Sequence, residues 1–219
     1  MYDLPPHHKE GAVNGLKEAI KQMPYVMLFN DEITECRIDD LINNVHVSFA
    51  KSARPDENGL KVMRIDILRD GVEEPKDIYY LESADGDERI VLPLESPTKA
   101  CRLDGISKLF MHFPLLGTED FGFEFIFHSR NFKPEEKRDG LYLPDGNEHN
   151  QKEIGQNIEV LNRMKEMLFG WLSEHISEIE NTKALARLCF NPDKYENENK
   201  AEFIEGMRKD MMSRRAKPR

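Results

Sequence analysis

From Gly11 to Met23, apolar residues fall at Val13, Leu16, Ala19, Ile20 and Met23, close to the i, i+3, i+4, i+7 spacing of one buried helix face. Pro24 is expected to stop that helix, and a short apolar run, Tyr25 to Phe29, follows. The period then falls to two. Val45, Val47 and Phe49, then Met63, Ile65 and Ile67 alternate with polar or charged neighbours, as strands do that face a core on one side and water on the other, and Ile90, Leu92 and Leu94, with Val91 and Pro93 between them, are expected as a further strand of the same period. Pro55 to Gly59, Asp70-Gly71 and Asp85-Gly86-Asp87 carry turn chemistry between them, so that about residues 32 to 128 predict an antiparallel meander. Leu109 to Phe113 and Phe121 to Phe127 are more apolar and are expected as central strands, with Phe121, Phe123, Phe125 and Phe127 projecting to one face.

Beyond the turn-rich stretch Asp139 to Asn150 the period changes to about 3.6. Ile154, Ile158, Leu161, Met164, Leu168, Trp171 and Leu172 form one stripe of a helix expected to run to around Ile179. Thr182 to Phe190 and Pro192 to Met212 are two further candidate helices. The last is so charged that it is expected either to pack loosely or to belong to a longer assembly. Together these elements predict an α+β fold: a largely antiparallel mixed sheet covered by helices over residues 1–180, and a C-terminal helical extension over 181–219.

With 219 residues the chain can bury a core without staples. Cys36, Cys101 and Cys189 lie far apart, lack CxxC or Cys/His spacing and leave an odd one over, as in reduced cytosolic proteins. No apolar run approaches the roughly 18 residues of a membrane span, and Met1 to Glu10 lacks the basic and apolar regions of a signal peptide. A cytoplasmic location is expected. Forty-one acidic against 31 basic residues, a formal charge of −10, oppose a phosphodiester backbone, so nucleic acid is not an expected partner. Arg208, Lys209, Arg214, Arg215, Lys217 and Arg219 form a local exception, either a solvated helix end or a basic patch for a partner.

The sequence contains neither a Walker phosphate loop, nor a GxGxxG turn, nor a GxSxG elbow. His7-His8, His149 and His175 make no metal-ligand pattern, and His112 is expected as a half-buried strand histidine. Asp85 and Asp87 around Gly86 fit a hairpin better than a calcium loop, because the other oxygen ligands are missing. Glu73/Glu74 and Glu135/Glu136 are expected on solvated faces. No self-sufficient active site is encoded. What stands out is Phe123 to Tyr142, an aromatic strand running out to His128-Ser129-Arg130-Asn131 and then to Lys137-Arg138-Asp139-Gly140. An arginine at the end of a rigid strand can offer its fork of donors to phosphate, although in an exposed loop it can equally face solvent.

Two passages carry a resemblance. Met23-Pro24-Tyr25-Val26-Met27-Leu28-Phe29-Asn30 resembles the segment just beyond the ATP-binding domain of sacsin-like proteins, and Leu109 to Pro114 with Phe121 to Tyr142 resembles a later passage of theirs, most closely in its bacterial form. The likeness covers about Ala12 to Asn157, and its motifs are loose and apolar. It implies the middle, transducer-like domain of a chaperone-like GHKL ATPase, of αβα type. In the heat-shock chaperone of that superfamily, a Ser-Arg pair after an apolar strand brings an arginine to the γ-phosphate of ATP held by the preceding domain. By that likeness Ser129-Arg130 takes this position, and Arg138 is a second candidate or a support for the loop. The Bergerat elements of an ATP pocket are missing from this chain. The resemblance therefore implies a domain of a longer protein, non-catalytic alone, with ATP and magnesium supplied by an upstream domain. Its partners would be that domain, downstream segments, a protein client and a second copy in a homodimer. The alternative is a stand-alone protein-binding or scaffold domain that uses the Phe-rich strand edge or the C-terminal helices.

Overall fold

A computed structural model describes residues 6–41, 43–186, 191–195 and 197–213, with side chains from Glu10 onward. The side chains of His7 and His8, together with Cys189, Arg214, Arg215, Lys217 and Arg219, lie outside what is described, as does the end of the expected helix Thr182 to Phe190.

Helix α1 spans Pro6–Phe29 and runs through Pro24 rather than stopping there. The missing N–H and the ring clash of an interior proline cost about 3 kcal/mol. What offsets that cost follows directly: Tyr25, Val26, Met27, Leu28 and Phe29 are all 5% exposed or less. Each such side chain contributes about 1.5–3 kcal/mol on burial. Upstream the helix is much more open, with Val13, Leu16, Ile20 and Met23 only half-buried and Ala19 exposed.

The strands are β1 (Glu35–Asp40), β2 (Val45–Glu57), β3 (Leu60–Arg69), β4 (Val72–Glu73), β5 (Lys76–Glu82), β6 (Glu88–Val91), β7 (Leu94–Ser96), β8 (Lys99–Ala100), β9 (Leu109–Phe110) and β10 (Ile126–Ser129). The main sheet has the order β1-β2-β3-β5-β6-β10-β9, with β4 beside β3; β7 and β8 form a separate ribbon. All its pairs are antiparallel except β9 with β10. The meander is the expected one through β6, but the strand expected over Ile90, Leu92 and Leu94 is split, because β6 ends at Val91 before Pro93 and Leu94 opens the separate ribbon; the turns are built as their residues require. Asn58-Gly59 and Asp70-Gly71 each place two successive residues at positive φ, the primed geometry that fits a twisted hairpin. Pro55 is tolerated in β2 because β1 pairs only as far as Ala50 and the register with β3 shifts between Arg54 and Glu57.

The expected central strands are corrected. β9 is only two residues long and forms one edge, and β10 begins only at Ile126. The chain turns away at His112, whose φ is 133°, and Phe110 bridges to Pro114. The residues before Ile126 are bends, yet Phe121, Phe123, Phe125 and Phe127 do share one buried cluster.

Helices lie on both faces of the sheet. The cluster on the α1 side joins Tyr25 to Phe29 with Val47, Phe49, Ile65, Tyr80, Val91 and Ile126. On the other side, α2 (Gln151–His175) and α3 (Glu198–Ser213) join Leu60, Val62, Tyr79, Leu81, Ile90 and Phe127. The stripe expected on α2 packs as drawn apart from Ile158, which is only half-buried, and Trp171 donates to the Asn58 carbonyl at 2.9 Å, tying the helix to the β2–β3 hairpin. Thr182–Leu185 is a short 3-10 turn, and despite its charge α3 buries Ala201, Ile204, Met207 and Met211.

Candidate functional site

The chemistry gathers where the last turn of α1 crosses the ends of β5, β6 and β10. Register aligns Glu82 of β5 with Arg89 of β6, and Arg89 with His128 of β10. Arg130, in the turn just past β10, comes to the same place through its contact with Asp31.

A helix ends with carbonyls that have no partner within it, and here side chains from distant strands satisfy them. Lys51 Nζ donates to the carbonyls of Met27 at 2.9 Å and Asn30 at 2.6 Å, and Arg89 Nη1 donates to Leu28 at 2.7 Å. Asn30 Nδ2 donates to Val26 and to His112, each at 2.7 Å. Two cations at the negative end of α1 also suit its dipole.

Asp31, just past the helix, lies between two guanidiniums. Its Oδ1 stands 3.1 Å from Arg89 Nη1 and its Oδ2 3.1 Å from Arg130 Nη2. Burial works against its ionisation, but the Arg89 hydrogen bond and the charges of Arg89, Arg130 and Lys51 prevail and hold the carboxyl below the ordinary range. The two arginines differ in freedom. Arg89 is 12% exposed and is clamped by Glu82 at 2.7 Å, whereas Arg130 is 45% exposed and has Asp31 as its ion-pair partner. Glu82 also pairs with Lys61.

His128 is 1% exposed, and neither ring nitrogen has a hydrogen-bond partner among the described residues. Its ring stacks on Phe29 at 4.5 Å and meets His112 edge-on at 5.9 Å. Burial, then the charges of Arg89, His112 and Arg130, push its pKa down to about 3, so the imidazole is neutral at physiological pH.

Arg130 and Arg138 are not joined into one site. Arg138 sits at φ 56° in the turn between the bridged residues Pro134 and Leu141, is exposed, and makes no ion pair with a described residue. That loop is anchored by Asn157 of α2, fully buried, which accepts from Lys133 N at 2.8 Å and donates to the carbonyls of Lys133 at 2.9 Å and Tyr142 at 2.8 Å. Sequence reasoning singled out Arg130 and missed Arg89, Asp31, Lys51, His128 and Asn157. His128 carried a signal, a polar residue inside the most apolar stretch of the chain; the others resemble ordinary surface residues. Likewise, His112 lies just outside the strand where it was expected.

Among the described residues, no group of three or more His, Cys, Asp or Glu is arranged to hold a metal ion. A surface groove of about 700 Å³ on β1 to β3, lined by Arg37, Ser48, Arg64, Asp66 and Pro75 among others, shares no residue with this cluster. Its two arginines are already matched, Arg64 with Asp66 at 2.8 Å and Arg37 with Asp39 at 3.0 Å, while Glu35 and Glu73 also line it. No family model, no curated protein and no solved structure matches the chain.

Proposed function

We propose that this chain is a nucleotide-sensing middle module of a GHKL-type ATPase, of the αβα transducer kind, which relays the state of an adjoining ATP-binding domain to downstream segments. What supports this role is the setting of Arg130. Its guanidinium reaches out from the end of β10, is half-exposed, and rests on a single exposed carboxylate, while Arg89 behind it is locked to the sheet. A charged fork presented from a stiff strand loses little freedom when it meets a phosphoryl oxygen. The helices on both faces are compatible with the transducer type. ATP and magnesium belong to the upstream domain; the part of this chain is to dock while the terminal phosphate is present and to let go once the charge leaves. A cytoplasmic setting, a protein client and a homodimer fit the same reading, and the net charge of −10 argues against nucleic acid.

In a protein carrying both domains, Arg130→Ala is expected to slow ATP turnover tenfold or more while nucleotide affinity changes little, the order of magnitude for loss of one charge-stabilising donor. Turnover at the wild-type rate would remove Arg130 from the mechanism. A second reading, a protein-binding domain, is favoured by Phe113 and Leu116, which are 56% and 57% exposed on one short loop beside His112.

A further inference from the structure

We propose that the cleft between Arg89 and Arg130 is an oxyanion site for a phosphoryl group, held closed by the chain's own Asp31, whose carboxylate stands where the incoming oxygens would. The inference deepens the reading of Arg130 and rests on it for the phosphoryl identity of the anion.

The geometry is that of a ligand already in place. Each carboxylate oxygen of Asp31 takes a different guanidinium, both at 3.1 Å, so that two forks converge on one planar anion. Two oxygens of a phosphoryl group are spaced much as those of a carboxylate, and arginine forks serve both. Arg89 cannot swing away, because Glu82 and the Leu28 carbonyl hold it from behind. Asp31, by contrast, is 56% exposed and can leave the cleft without exposing core. An ion pair this open contributes little, and a dianion brings more charge to the same two cations.

His128 supplies an independent pointer. It is the cross-strand neighbour of Arg89 and lies two residues before Arg130, and as a buried imidazole it has a ring N–H with no acceptor among the described residues. Such a donor is costly to leave unmet, and an acceptor oxygen entering beside it would relieve the cost. Asp31 also follows directly on the capped end of α1, where its own carbonyl accepts from Lys51 at 3.2 Å. Displacing its side chain loosens one strap between α1 and the sheet, so occupancy of the cleft is transmitted to the helix.

Sodium pyrophosphate titrated into the 219-residue chain at low ionic strength, followed by calorimetry, tests this. Asp31→Asn removes the resident charge from an exposed position and is expected to bind about five- to tenfold tighter than wild type, the equivalent of two partly exposed ion pairs lost together. Arg130→Gln added to Asp31→Asn should abolish the gain. Asp31→Asn binding no tighter than wild type, or a gain that survives Arg130→Gln, overturns the proposal. Failure here together with slowed turnover in Arg130→Ala would remove the Asp31-closed anion site and leave the reading of Arg130 in ATP turnover; success here with unchanged turnover would keep the anion site and remove the ATPase reading.

Discussion

His128 shows how one side chain can make the whole fold sensitive to acid. Its pKa is near 3 in the folded chain and 6.5 in model peptides, so below pH 6.5 the unfolded chain binds a proton that the folded chain refuses. The stability tied to the neutral ring is therefore complete above pH 6.5 and is lost as pH falls toward 3. By pH 4.5 the loss amounts to about 2–3 kcal/mol. The groups around the ring, Arg89, Arg130 and His112, reinforce the effect, and Asp31 opposes it. His128→Phe keeps an aromatic ring against Phe29 and removes both orphan nitrogens. Urea unfolding at pH 7 should find this variant at least as stable as wild type, and between pH 6.5 and 4.5 its stability should fall by markedly less. Parallel pH profiles for the two proteins would mean that His128 does not cause the acid loss.

Among the elements, α3 depends on a residue outside itself. Gly122 has φ 40°, and a Cβ there would stand 2.9 Å from the Ile204 carbonyl of α3. Backbone cannot yield as a flexible side chain does, and the φ itself disfavours any L side chain. Gly122→Ala is therefore expected to lift α3 and cost about 1–3 kcal/mol, with faster amide hydrogen exchange at Ile204 and Met207 than in wild type. Unchanged exchange in α3 would show that the contact relaxes. This packing was not legible beforehand, because α3 looks like a charged surface helix and Gly122 like one small residue in a Phe-rich run. Pro24 misled for a related reason: the local cost of a proline is real, but the burial of the five residues after it decides where α1 ends.

At the scale of the whole molecule, one sheet carries both apolar clusters, so a strand contributes to the α1 side and to the α2 side with alternate residues. Ile90 and Val91, adjacent in β6, belong to opposite clusters. Neither side can lose its packing while the shared ladder stays intact. Denaturation is expected to be a single transition in which fluorescence of the one tryptophan, Trp171 on α2, coincides with loss of far-ultraviolet circular dichroism. Separate midpoints would show that the helical cover of one face melts by itself.

The sequence by itself determined the local repeats: the alternation of β2 and β3, the turns at Asn58-Gly59 and Asp70-Gly71, and the stripe of α2. Each of these is a regularity over a few neighbouring residues, set by backbone geometry and by which face meets water. The candidate site has no such regularity. Arg130 meets Asp31 across 99 positions and Arg89 meets it across 58. Those pairings exist because strand register sets Glu82, Arg89 and His128 side by side and because α1 carries its last turn over them. Only tertiary structure decides contacts of that kind, since a charge carries no period and the energy of an ion pair depends on where its partner has been brought.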